Sequence, residues 1–141
     1  MKLKSLLTLA LTLAIGSSFV LAEEDTPLTK EMKTVNKNLR TLKRQAEDAA
    51  KKDENLALVA ECKKALAAAV KLEPMKTKEQ PAANKAAYLD KYKAQMGDLQ
   101  KSFDELEAAI KAGKVDDAKK LFEKLSEEKE KGHKDFAPDE K

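Results

Sequence analysis

The chain has 141 residues, 38% of them charged and only 4% aromatic, with one cysteine and a formal charge of +3. A single cysteine excludes an internal disulfide framework. The nearly balanced charge, read as carrying no basic stripe, argues against a nucleic-acid partner.

Residues 1–22 read as a secretory signal peptide. Lys2 and Lys4 form a charged start, Leu6 to Ile15 an apolar run, and Val20-Leu21-Ala22 a small-residue cleavage site. The run is too short for a membrane span. Cleavage after Ala22 removes two lysines and leaves residues 23–141 as one small domain of formal charge +1, with no membrane insertion expected of it. That export places the mature chain in the periplasm. Its wealth of Ala, Lys, Glu and Leu is the composition of a helical bundle.

Four prolines and Gly113 divide the domain into four helical segments. Thr26-Pro27 reads as N-cap and first helical position. From there Leu28, Met32, Val35, Leu39 and Leu42 recur in a four-three rhythm, the narrow apolar seam of a helix expected over residues 27–46. Asp53 is the expected N-cap of the second helix, which carries Leu58, Cys62, Ala65, Ala69 and Leu72, flanked by Val59, Leu66 and Val70, and stops at Pro74. A connection over residues 74–82 leads to the third helix, whose seam is Tyr88, Tyr92, Met96, Leu99, Phe103, Leu106 and Ile110. Gly113 closes it. The fourth starts near Val115, with Asp116 and Asp117 at its positive end. Its seam reads Val115, Ala118, Phe122, Leu125, Lys129, His133 and Phe136, and Pro138 stops it. Short to moderate connections make neighbours antiparallel, so the expected fold is all-α, an up-down-up-down four-helix bundle.

That topology brings two residues to one end. Met32 lies about five residues, roughly 8 Å, into the first helix, and His133 lies just before the end of the antiparallel fourth. Both are expected to line an apolar cavity, beside Tyr88, Tyr92 and Met96. Imidazole and thioether together ligate haem iron in electron-transfer sites, and two protein ligands leave no open position for oxygen chemistry. No Cys-x-x-Cys-His occurs, so such a haem is non-covalent and b-type.

Leu28 to Arg40, Ala109 to Val115 and Leu125 to Phe136 resemble the first helix, the last interhelical turn and the final helix of the cytochrome b562 family, exported haem-binding four-helix bundles. The resemblance implies one b-type haem with Met32 and His133 as axial ligands. It further implies haem contacts from Leu28, Val35, Leu39, Tyr92 and Met96, and a propionate contact from Lys129. Gly132 stands where the family has an aromatic residue, and Lys129 where it has an arginine.

Other chemistry has little footing. Glu130-x-x-His133 has the spacing of a di-iron ligand pair, but that site needs a second such motif. A Cys–His nucleophile has no third member. Neither points to an enzyme. The expected function is therefore electron transfer with unidentified redox proteins. The alternative is a haem-free bundle acting as a structural or stress-related interaction module. A monomer is expected, unless an exposed Cys62 links two chains.

Overall fold

Thr26 caps the first helix through its side chain: Oγ1 accepts the amide of Thr29 at 3.1 Å, and Pro27 follows at the first helical position. This helix, α1, spans Pro27–Gln45 in a computed structural model that describes residues 25–138. The leader expected over residues 1–22 lies outside the described residues. Val35, Leu39 and Leu42 are buried along α1, with Leu28 and Met32 packed partly exposed at the edge of the same core.

The second helix, α2, spans Lys52–Ala69. Its start differs from expectation. A 3₁₀ turn at Ala49–Lys51 precedes it, and Asp48 rather than Asp53 caps that turn, accepting the Ala50 amide at 3.0 Å. Asp53 falls inside the first turn of α2, where its carboxylate complements the helix's positive end. The end differs too. Lys71 and Leu72 bond three residues back, so the backbone has tightened out of α-geometry before Pro74 is reached. The buried residues of α2 are Asn55, Val59, Cys62, Ala65, Leu66 and Ala69, while Leu58 and Leu72 are only half-buried. Cys62, Ala65 and Ala69 of the expected seam are thus buried together with the flanking Val59 and Leu66, because α2 packs on both α1 and α3 and buries a wide face.

The connection after Pro74 is two further 3₁₀ turns, Met75–Glu79 and Ala82–Asn84. The third helix, α3, spans Lys85–Lys111 and buries Tyr92, Met96, Leu99, Phe103 and Leu106. Gly113 ends it at φ 69°, letting the Lys114 amide bond back to Ala109 O at 2.9 Å. The fourth helix, α4, spans Val115–Phe136 and buries Ala118, Phe122, Leu125 and Phe136. Two members of its expected seam are exposed. Val115 stands beyond the core's edge, and His133 yields the inward position to Gly132.

Sequential neighbours run antiparallel. Lys63 of α2 pairs with Asp104 and Glu107 of α3 at 2.6 and 2.8 Å. The Tyr88 hydroxyl at the start of α3 donates to Asp135 O at the end of α4. The described residues form four α-helices and no strand, an antiparallel four-helix bundle. Fully buried Phe103 sits at its centre. Emptying that position to alanine costs about 3–5 kcal/mol, a large part of the stability of a small domain.

Candidate cofactor site

The helix pairs are not equally packed. α1 lies closely on α2, α2 on α3 and α3 on α4, but α1 meets α4 only sparsely, leaving a seam between the first and last helices. Two polar links cross it: Lys43 Nζ donates to Ser126 Oγ at 2.8 Å, and Lys119 pairs with Glu47. These links fix the register of the antiparallel pair. Extended back along α1 at 1.5 Å per residue, it sets Met32 level with roughly residues 134 to 137 of α4, within about one turn of His133.

Rotation about the helix axes agrees. Lys119, Ser126 and His133 recur every seven residues, so at 100° per residue they share one side of α4 within roughly 40°. On α1, Lys43, Asn36 and Met32 also share a flank of roughly 40°. Lys43, Lys119 and Ser126 reach across the seam. Met32 and His133 thus fall on its facing flanks, within about one turn of each other along the axis. Among the described residues no polar link crosses the seam in their half of the bundle.

The two side chains differ in burial. Met32 is half-buried against the core, whereas His133 is exposed. The expected picture of two donors walled inside an apolar cavity is corrected accordingly: the imidazole stands at the rim. The cause is the four-three rhythm of α4, which places Lys129, Gly132 and Phe136 inward and leaves His133 one step round. Gly132 approaches α3 so closely that a Cβ there would lie 3.1 Å from Gln95 Nε2.

Leu28, Val35 and Leu39 of α1 and Tyr92 and Met96 of α3 belong to one apolar cluster beneath the seam, with Leu28 at its edge. Phe136 joins it, its ring 5.2 Å from those of Tyr88 and Tyr92 in edge-on geometry. The Tyr92 hydroxyl is directed to α2, donating to Ala69 O at 2.7 Å, and burial pushes its phenol up to about 12. Lys129 is half-buried, with no acidic partner among the described residues.

Three features were not legible in the apolar pattern. Gln95 is buried between α3 and α4, donating to Glu128 O at 3.1 Å while its Oε1 has no partner. Nothing in its own residue type signals this, although the glycine at 132 opposite it could have. Burial raises the Glu128 carboxyl above its usual range, only partly offset by the hydroxyl of Ser102 donating at 3.0 Å. Thirdly, the near-neutral total charge hid a basic stripe on α1, contrary to the expectation of none. Cys62 is fully buried between α1 and α2, with its thiol pushed up to about 12, so linkage of two chains through it would require unfolding.

The donor set fits a haem. Thioether and imidazole are neutral ligands, the imidazole has no hydrogen-bond partner among the described residues, and the seam between them is sparsely packed. Asn36, one turn after Met32 on the same flank, keeps a buried side-chain oxygen without a partner. Among the described residues no group of three or more His, Cys, Asp or Glu could hold a metal ion. A haem asks only two ligands of the protein.

A family model for cytochrome b562 matches residues 27–137. The chain belongs to the cytochrome b562 family. No curated protein and no solved structure matches it. Cytochrome b562 proteins are haem-containing electron carriers rather than enzymes, and they are typically exported. Among the described residues no helix is long and apolar enough to cross a membrane.

Proposed function

We propose that this chain is a periplasmic single-electron carrier holding one non-covalent b-type haem in the α1–α4 seam, with Met32 and His133 as its axial ligands. What supports the reading is the register set by the Lys43–Ser126 and Lys119–Glu47 links, which brings Met32 and His133 to facing flanks of the sparsely packed α1–α4 pair. When bound, the haem supplies a one-electron iron couple whose potential is set largely by the axial donors.

The residues around it hold, orient and shield. His133 offers an imidazole at the rim, where among the described residues no other side chain bonds its nitrogens. Met32 offers a soft donor from a half-buried position, a choice that favours the reduced state. Val35, Leu39 and Met96 give an apolar floor that excludes water from one face of the site. Lys129, one turn before His133, is placed to meet a propionate as a point charge. With Met32 and His133 both holding the iron, the site would leave no vacancy for a substrate, as a carrier requires.

Stoichiometric addition of haem to the purified chain tests this. The reduced complex should show the sharp, split visible bands of low-spin six-coordinate iron at one haem per chain. His133→Ala should weaken binding in both oxidation states. A spectrum unchanged from free haem would remove the electron-transfer reading.

A further inference from the structure

The formal charge of the chain is segregated. α1 carries six basic residues and one acidic one, while α2 and α3 are balanced and α4 holds one acidic residue more than basic. All six α1 cations are exposed, and five of them, Lys30, Lys33, Lys37, Arg40 and Arg44, form a stripe. At 100° per residue they fall within an arc of roughly 80°, on the side of α1 opposite its buried residues, and along the axis they extend about 21 Å. Lys33 pairs with Asp25 at 2.5 Å, and Arg44 donates to Thr41 at 3.4 Å. Lys30, Lys37 and Arg40 have no acidic partner among the described residues. Such like charges repel one another within a screening length of about 8 Å, so the stripe works against folding rather than for it.

The position of the stripe gives it a use. Arg40 lies within roughly 40° of Asn36 around α1, so the stripe borders the seam flank that carries Met32. We infer that this basic face of α1 is the docking surface for the acidic face of a redox partner protein. The inference rests on the carrier function proposed above and names its partner's chemistry. Charge complementarity of this kind raises association rates and orients the encounter. Here it would bring the partner against the helix that supplies one axial ligand.

Two other anionic surfaces fit less well. Peripheral binding to a lipid surface draws on buried apolar side chains as well as charge, and the exposed large hydrophobic residue among those described is Val115, a lone side chain on α4 rather than on α1. Single-stranded nucleic acid is held by aromatic stacking as well as charge, and α1 has no aromatic residue.

The test uses the isotope-labelled full chain, with and without added haem, and plastocyanin as an acidic single-electron protein probe. Amide shifts should map to residues 30–44 at low ionic strength and vanish in high salt. The triple variant Lys30→Glu, Lys37→Glu, Arg40→Glu should keep its helical content and haem spectrum. It should lose the shifts and pass electrons to oxidised plastocyanin at least about tenfold more slowly. Shifts on α2 to α4, or a triple variant that binds and reacts as the wild type does, would overturn the docking surface. So would stronger shifts with anionic phospholipid vesicles or single-stranded DNA than with plastocyanin. Failure to take up haem, with shifts still mapping to α1, would remove the carrier function and leave the acidic-protein surface standing.

Discussion

The Tyr92 hydroxyl donates a 2.7 Å hydrogen bond to the main-chain carbonyl of Ala69, tying the start of α3 to the last residue of α2. The bond is buried, so removing the hydroxyl strands a carbonyl that has left water. Tyr92→Phe should cost about 1–3 kcal/mol in urea unfolding. The same burial raises the phenol from its usual 10 to about 12, and that of the Cys62 thiol raises it from 9 to about 12. Each folded value lies above the unfolded one, so their contribution is intact at neutral pH and is lost as pH rises from about 9 through 12. Alkaline unfolding should be steep in the wild type and shallower in Tyr92→Phe. Equal slopes would mean the phenol does not govern it.

Acid acts through a different group. Lys111, and after it Lys63, hold the Glu107 carboxyl down from 4.5 to about 2. A depressed carboxylate contributes stability that is present above its unfolded value and disappears as pH falls toward the folded one. Thermal melts between pH 5 and 2 should show that loss, and Glu107→Gln should flatten it. An unaltered acid slope would assign the loss to other carboxylates.

Gly132 presents a local conflict between α4 and α3. Alanine there would gain about 1 kcal/mol of helix propensity. Its Cβ, however, would stand 3.1 Å from Gln95 Nε2, the atom that bonds Glu128 O. Disturbing that bond costs about 0.5–1.5 kcal/mol. Gly132→Ala should therefore be close to neutral in the wild type and stabilising by about 1 kcal/mol in a Gln95→Ala background. Additive effects across this double-mutant cycle would show that the two residues do not compete.

Cys62 gives a chemical check on the packing of α1 against α2. Its sulfur is fully buried, 3.9 Å from Val35 O. A thiol reagent should label it slowly under native conditions and at once in denaturant, because the thiolate forms only when the site opens. Rapid native labelling would mean the helices separate there.

Most of the architecture was legible because helix periodicity reports a two-sided environment directly. α1 and the centre of α3 each face one core, so Val35, Leu39, Leu42, Met96, Leu99 and Phe103 carry the signal without ambiguity. α2 buries Cys62, Ala65 and Ala69 of its seam and the flanking Val59 and Leu66, while Leu58 and Leu72 stand half-buried at the margin. Its ends were misplaced because 3₁₀ turns satisfy the backbone with no glycine or proline to mark them. His133 was placed inward on the same apolar rhythm that in fact selects Gly132. A residue without a side chain contributes nothing to an apolar count, although its absence of bulk is what admits Gln95. The charge stripe escaped because acidic residues spread over the rest of the chain, Glu23, Glu24 and Asp25 just before α1 chief among them, offset most of it in the total over residues 23–141.

In the proposed site Met32 and His133 act across one seam, and a reduction potential reads their donors most directly. Met32→His keeps six-coordination but replaces a soft thioether by an imidazole, a donor that stabilises the oxidised iron. Potentiometric titration of the haem-loaded wild type and Met32→His in one buffer should give a clearly lower potential for the variant, with both remaining low-spin. An unchanged or higher potential would contradict the assignment of Met32 as the iron's thioether ligand.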